Sequence, residues 1–212
     1  MRPDDPILAA THNPGKLEEM RRLLAGLPLR VLGLDSLTGY HPPPETASSY
    51  IENAFIKARH AALHSGLVCF ADDSGLEVDA LDGAPGLYSA RFDGPSGTPE
   101  SRNAKLLKLL ESVPQEQRTA RFCAEVALVR PSGTAGCTFH EESFSGVLEG
   151  RIATEPTGAA GFGYDPVFWI PSENCTVASL SPQLKDRLSH RGQAMRKLAR
   201  RLSQLLEPAD GS

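Results

Sequence analysis

The sequence predicts one α/β domain, residues 1–212, built on a mixed and strongly twisted central sheet flanked by helices. Three observations point there. The first half alternates short apolar runs with helical patterns, as parallel strands joined by helices do. The second half holds two longer runs joined by a Pro131-Ser132-Gly133 turn, which reads as an antiparallel hairpin. The 212 residues are 40% hydrophobic and 23% charged, enough for a substantial core and too apolar for a disordered chain.

The elements follow in order. Ile7-Leu8-Ala9-Ala10 is a short buried strand that stops at Thr11-His12-Asn13-Pro14-Gly15-Lys16. Leu17, Met20, Leu23, Leu24 and Leu27 then recur at helical spacing. Val31 to Leu37 reads as a strand, and Thr38 to Thr46, with Pro42-Pro43-Pro44, as a loop. Ser49 and Glu52 form a capping box for a helix that Gly66 ends. Leu67 to Ala71 is an apolar strand ended by a polar turn, Asp72-Asp73-Ser74-Gly75, and Leu76 to Leu81 is another strand. Thr98-Pro99 opens a helix running to about Ser112. Thr119 to Arg130 alternates, with Ala120, Phe122, Ala124, Val126 and Leu128 on one face, and its partner returns over about Cys137 to Leu148. A glycine-rich loop from Gly158 to Gly163 precedes the strand Val167 to Ile170. Two helices close the chain, about Pro182–Leu188 and Gly192–Leu206, with Ser189-His190-Arg191 between them.

Charge and cysteine content narrow the class. There are 22 Lys+Arg against 26 Asp+Glu, a net charge of −4, and no basic run of four. A duplex nucleic-acid binder normally shows a basic stripe, so nucleic acid is not expected as a partner. A local cluster can still bind a small anion. Cys69, Cys123, Cys137 and Cys175 form no C-x-x-C pair, so a disulfide framework or zinc site is not expected and a reducing compartment is. No stretch is apolar enough for a membrane span, and the start has no apolar signal core. A soluble, cytoplasmic protein is expected.

Four polar segments lie where α/β sheets place ligands. The turn Thr11–Lys16 can be an anion cradle of backbone N–H groups and the Lys16 cation, or simply a helix cap. The adjacent carboxylates Asp72 and Asp73 follow a buried strand, where they need positive company. Mg2+ would supply it. Alternation sends the two side chains in different directions, so one can serve metal or water while the other holds a helix or a lysine. A capped turn is the plain alternative. Gly158–Pro166 leads into a strand, which excludes a dinucleotide fingerprint. Its Phe162 and Tyr164 can stack on a flat ligand or fill the core. His190 and Arg191 at a helix start suggest a bound anion or base edge, with a surface basic patch as the alternative. Glu45 in the proline-rich loop, and Lys57 on what reads as the exposed side of its helix, would each alone be surface charges.

Together these segments resemble the non-canonical purine nucleoside triphosphate pyrophosphatases, the inosine/xanthosine triphosphate pyrophosphatase family. The resemblance runs from Ile7 to about Leu206. Its markers are Thr11–Lys16, Glu45-Thr46, Ile51-Glu52-Asn53-Ala54, Lys57-Ala58-Arg59, Ala71–Leu76, Gly83–Gly86, Ser89-Ala90-Arg91, Gly161–Pro166 and Ser189–Gly192. It implies an elongated fold with two lobes around a cleft, usually a homodimer, and a Mg2+-dependent hydrolase. Such an enzyme converts dITP, ITP and XTP to the monophosphate and pyrophosphate.

The roles it implies are specific. Thr11, His12, Asn13, Pro14, Gly15 and Lys16 form the triphosphate cradle. Asp73 binds metal and activates water, with Glu45 as second acid at the metal and Ser74 as a substrate contact. Phe162 stacks on the base, and Gly163, Tyr164 and Asp165 complete its pocket. Lys185, His190 and Arg191 meet base and phosphates, and Lys57 is a further phosphate or acid partner. The C6 acceptor of hypoxanthine and xanthine would then meet donors from Arg191 or backbone N–H groups. Two positions depart from the family pattern. His12 stands where glycine is frequent, and Pro44 precedes Glu45 where an acid is frequent. A pyrophosphatase of the Maf type and a non-catalytic nucleotide-binding module are the competing readings. The Phe-Gly-Tyr-Asp and Ser-His-Arg-Gly segments speak against the first, and the paired acids against the second.

Overall fold

The computed structural model describes residues 1–132 and 138–206. The chain begins with β1 (Pro6–Ala9), α1 (Pro14–Leu24), β2 (Arg30–Gly33) and α2 (Tyr50–Ser65). Next come β3 (Val68–Val78), α3 (Pro99–Leu109), β4 (Thr119–Ser132) and β5 (Thr138–Ile152). The short strands β6 (Phe168–Ile170) and β7 (Cys175–Thr176) precede α4 (Pro182–Leu188) and α5 (His190–Leu206). The seven strands form one sheet in the order β2-β1-β3-β4-β5-β6-β7. β1 pairs in parallel with β2 and β3, placing Ile7 opposite Val31 and Val68. β6 pairs antiparallel with β5 and with β7. The sheet is therefore mixed, as the change of pattern along the sequence predicts.

The chain divides into two compact units, each assembled from separate segments. The first comprises Met1–Asp73, Ala124–Gly146 and Arg191–Ser212, and the second Ser74–Cys123 and Val147–His190. In the first unit both faces of the sheet are covered. Ile7, Ala9, Phe70, Ala124, Val126 and Leu128 pack against Met20 and Leu24 of α1 and Met195, Leu198 and Leu202 of α5. Leu8, Cys69, Ala71, Ala127 and Val129 point the other way, onto Ala54, Ala58, Ala61 and Ala62 of α2. Strands buried on both faces read as continuous apolar runs rather than alternating ones. That is why Ala127 and Val129 are buried although the alternation in the sequence selects only their neighbours. The second unit has a separate core, in which Leu106, Leu110, Phe122, Tyr164 and Phe168 pack together.

Several boundaries differ from expectation. Asp72-Asp73-Ser74-Gly75 is no turn: β3 runs unbroken through it. β2 ends at Gly33, and Leu34–Ser36 form a 3-10 turn instead of more strand. Asn13 caps α1 through its side-chain oxygen, so Pro14, Gly15 and Lys16 already form the first helical turn. α3 ends at Leu109 instead of Ser112. α5 starts at His190, which places His190 and Arg191 within the helix instead of in a connection. Among the described residues the non-glycine positions with positive φ are Asp4, Asp82 and Asn174; His12 is not one of them, so a side chain there costs no left-handed strain. Gly133 of the hairpin turn and Cys137 lie outside the described residues. Cys69, Cys123 and Cys175 are thiols, not disulfide halves. Among the described residues no helix is long and apolar enough to cross a membrane.

Candidate active site

Side chains on an extended strand alternate between the two sheet faces. On β3, Phe70 faces α1 and α5, while Cys69 and Ala71 face α2. Asp72 therefore points with Phe70 and Asp73 with Ala71. Their surroundings in the first unit differ accordingly.

Asp72 is 1% exposed and lies among cations. Lys16 Nζ is 2.6 Å from its Oδ2, and Arg191 donates from Nε and Nη2 at 3.3 and 3.2 Å. A third nitrogen, Arg191 Nη1, donates to Glu19 Oε2 at 2.8 Å. α1 thus supplies Lys16 and Glu19, and α5 supplies Arg191. Burial alone would raise the Asp72 carboxyl, but Arg191 and Lys16 hold it well below the usual carboxylate range. The same burial lowers the Lys16 ammonium, and Asp72 only partly offsets it.

Asp73 faces α2. Lys57 Nζ donates to its Oδ1 at 2.7 Å, to Glu45 Oε1 at 3.1 Å and to the Asp72 carbonyl at 3.0 Å. Asn53 Nδ2 lies 3.4 Å from Asp73 Oδ2, and Asn53 Oδ1 accepts from Ala47 N at 3.0 Å. Asn53 thereby fastens the segment after Glu45 beside Asp73. Burial lifts the Asp73 carboxyl above its ordinary value against the pull of Lys57, making it a stronger proton acceptor than a surface aspartate. Lys57 is not on the exposed side of its helix. Burial would lower its ammonium, but Asp73 and Glu45 keep it raised.

The donor set here suits Mg2+. Carboxylate oxygens of Glu45 and Asp73 converge on one ammonium. Hard oxygen ligands of this kind hold that ion through one or two carboxylates, with phosphate and water completing the shell.

Thr11 and Asn13 act on their own loop. The Thr11 hydroxyl oxygen accepts from Asn13 N at 3.1 Å, and Asn13 Oδ1 accepts from Lys16 N at 3.0 Å. This cap places the start of α1, and with it Lys16, directly after β1.

In the second unit Phe162, Gly163, Tyr164, Asp165 and Lys185 form one group. Asp165 Oδ2 accepts from Phe162 N at 2.9 Å and from Lys185 Nζ at 2.7 Å. Lys185 Nζ also sits 4.8 Å from the Phe162 ring centroid, so the ammonium covers one ring face. A Cβ at Gly161 would collide with the Asp165 carboxylate, and φ is +80° there, so glycine is required on both counts. The Tyr164 hydroxyl donates to the Ser89 carbonyl at 2.9 Å. His190 belongs to this unit too and stacks on Phe122 with ring centroids 4.7 Å apart. Ser74, the first residue of the second unit, follows Asp73 directly on β3.

A family profile described as the Ham1 family matches residues 7–201. The chain belongs to the Ham1 family. It is 48% identical over 196 residues to a dITP/XTP pyrophosphatase of Thioalkalivibrio sulfidiphilus, covering 92% of this chain and 97% of that one. It is 46% identical to the dITP/XTP pyrophosphatase of Pseudomonas aeruginosa, covering 93% and 97%. Among solved structures, a Ham1 protein of Coxiella burnetii superposes with a TM-score of 0.83 at 41% identity, covering 94% of this chain and 98% of that one. The mixed α/β architecture is thus that of Ham1 proteins.

The sequence does not single out Glu19 or Asn53 as partners in the first-unit group. Both look like ordinary helical polar residues, and their partners lie 172 and 20 positions away. One signal was available: Glu19 sits one turn after Lys16 on α1, on the face that also carries buried Met20.

Proposed function

We propose that this Ham1-family protein is a Mg2+-dependent pyrophosphatase that hydrolyses dITP, ITP and XTP to the nucleoside monophosphate and pyrophosphate. It would thereby clear deaminated purines from a cytoplasmic nucleotide pool. The observation that carries this is the junction of Asp73, Glu45 and Lys57. A buried, raised carboxyl stands beside a second acid and a cation, at the centre of a family whose relatives are named for this reaction.

The reaction is an in-line displacement, so the protein's work is mainly positioning and charge neutralisation. One P–O bond forms to the water oxygen, the α–β bridging bond breaks, and pyrophosphate leaves. Asp73 accepts the proton released by water. Lys57 holds Asp73 and Glu45 in register, and Asn53 fixes the Glu45 segment. Lys16 and the capped start of α1 receive phosphate oxygens. Bound Mg2+, held by Asp73 and Glu45, would neutralise phosphate charge. The Phe162–Asp165 group takes the base, Phe162 by stacking. Three of the five N–H donors of Arg191 serve Asp72 and Glu19, and the 6-oxo group takes its donors from the remaining Arg191 N–H groups or from backbone N–H groups. Adenine, with a donor at C6, would leave such donors unpaired. The family resemblance further supports a homodimer, which would sediment at twice the chain mass.

The test is pyrophosphate release from dITP, XTP, dGTP, dATP and UTP, with and without Mg2+. Release from dITP and XTP, dependent on Mg2+ and lost in a folded Asp73→Asn protein, is expected. Equal kcat/KM for dATP and dITP would overturn the selectivity, and an active Asp73→Asn would overturn the role of Asp73.

A further inference from the structure

We propose that Asn103 is a positioning residue for purine recognition, acting on the base-binding loop through the Gly163 carbonyl. This rests on the reading of Phe162–Asp165 as the base pocket. Asn103 lies on α3, in the same unit as that loop, and is 5% exposed. Leu106 and Leu110 follow it at helical spacing and are fully buried in the second unit's core, beside Tyr164. An amide in a leucine stripe needs a reason. Its Nδ2 donates to the Gly163 carbonyl at 3.1 Å, across 60 residues of sequence. Its Oδ1 is buried with no hydrogen-bond partner among the described residues. A buried acceptor left unmatched is unfavourable, and a leucine there would avoid it. The position therefore bears a cost for the sake of the one bond that the amide makes.

That bond acts at a left-handed position of the loop. Gly163 has φ of +63°, and a Cβ there would meet nothing within 4 Å, so its conformation and not its space calls for glycine. A glycine in that region is held by its neighbours. The residue before it is tied through Phe162 N to Asp165, and the one after it through the Tyr164 hydroxyl to Ser89. Asn103 fixes the peptide carbonyl between them. With the carbonyl released, the Phe162 ring and the backbone donors beside it lose their set orientation, and affinity for the base falls. The triphosphate group in the first unit contains none of these residues.

Binding of inosine monophosphate and of pyrophosphate to the full chain, measured separately by calorimetry, tests this. Asn103→Leu fills the same volume and exchanges the unmatched amide oxygen for a released, part-buried Gly163 carbonyl, so its thermal midpoint should change little. Its affinity for inosine monophosphate should drop about tenfold, and KM for dITP should rise while kcat holds within about threefold. Pyrophosphate should bind within about twofold of wild type. Asn103→Ser, too short to reach the carbonyl, should behave alike and serves if the leucine variant does not fold. Wild-type affinity for inosine monophosphate in these variants, or equal loss of both ligands, overturns the proposal. Phe162→Ala is the control. If it weakens inosine monophosphate and the Asn103 variants do not, Asn103 alone is refuted. If Phe162→Ala also binds it normally, the base-pocket reading fails and the proposal with it.

Discussion

A carboxylate buried as deeply as Asp72 is tolerable only beside cations held in place, and the ion group around it meets that need with charges from two helices. Removing one member leaves the others uncompensated, and breaking a buried pair in this way costs about 3–5 kcal/mol. Arg191→Met should therefore lower stability by about that much at neutral pH. The pH dependence follows from the sign of the shift. The folded Asp72 carboxyl lies below its unfolded value, near pH ~3.9, so its stabilisation is complete above that pH and fades as pH falls below it. Without Arg191 the carboxyl protonates more readily. The gap between wild type and Arg191→Met in urea unfolding should therefore be widest near neutrality and narrow in acid. A gap unchanged between those conditions would mean that Asp72 is not the charge Arg191 serves. The two aspartates were legible in the sequence because they end an apolar run, and alternation forecast their divergence. Lys57 was legible as a cation but not as half-buried, because a helix face that buries mainly alanine gives little hydrophobic contrast. Glu19 was hidden because its partner, Arg191, comes from the far end of the chain.

Among the elements, β3 departs furthest from its local signals. Asp-Asp-Ser-Gly is ordinary turn chemistry, yet the strand continues through it to Val78. Lys16, Arg191 and Lys57 compensate both carboxylates, and Leu76 N finds the Ser89 hydroxyl at 2.9 Å. Tertiary partners here outweigh turn propensity, and none of them is adjacent in sequence. α2 shows the opposite case. Its Ser49 cap and its Gly66 stop at φ +70° agree with the sequence pattern, and the side it turns to the sheet is made mainly of alanines. Those alanines let the helix lie close to the sheet, with Ala54, Ala58 and Ala61 fully buried. Overpacking such a surface costs about 1–3 kcal/mol, so Ala61→Leu should lower the urea midpoint accordingly. An unchanged midpoint would show that the helix can shift outward without loss. Because Lys57 and Asn53 ride on α2, the same substitution should also reduce turnover.

For the molecule as a whole, the change from alternating to hairpin pattern was enough to forecast a mixed sheet. Pattern and composition alone did not forecast the division into two units, because it depends on which distant segments pack together; only the family resemblance implied two lobes. That division bears on how the protein is made. A ribosome delivers the chain from its amino end, and domains tend to fold once their last segment emerges. The first unit receives Arg191 and the apolar face of α5 only after every segment of the second unit has been made. Until then Asp72 lacks its guanidinium, and Phe70, Val126 and Leu128 lack the helix that covers them. The ion group around Asp72 is thus completed late, after the second unit has been made, and a nascent chain halted before α5 would present sticky apolar strands to chaperones and proteases.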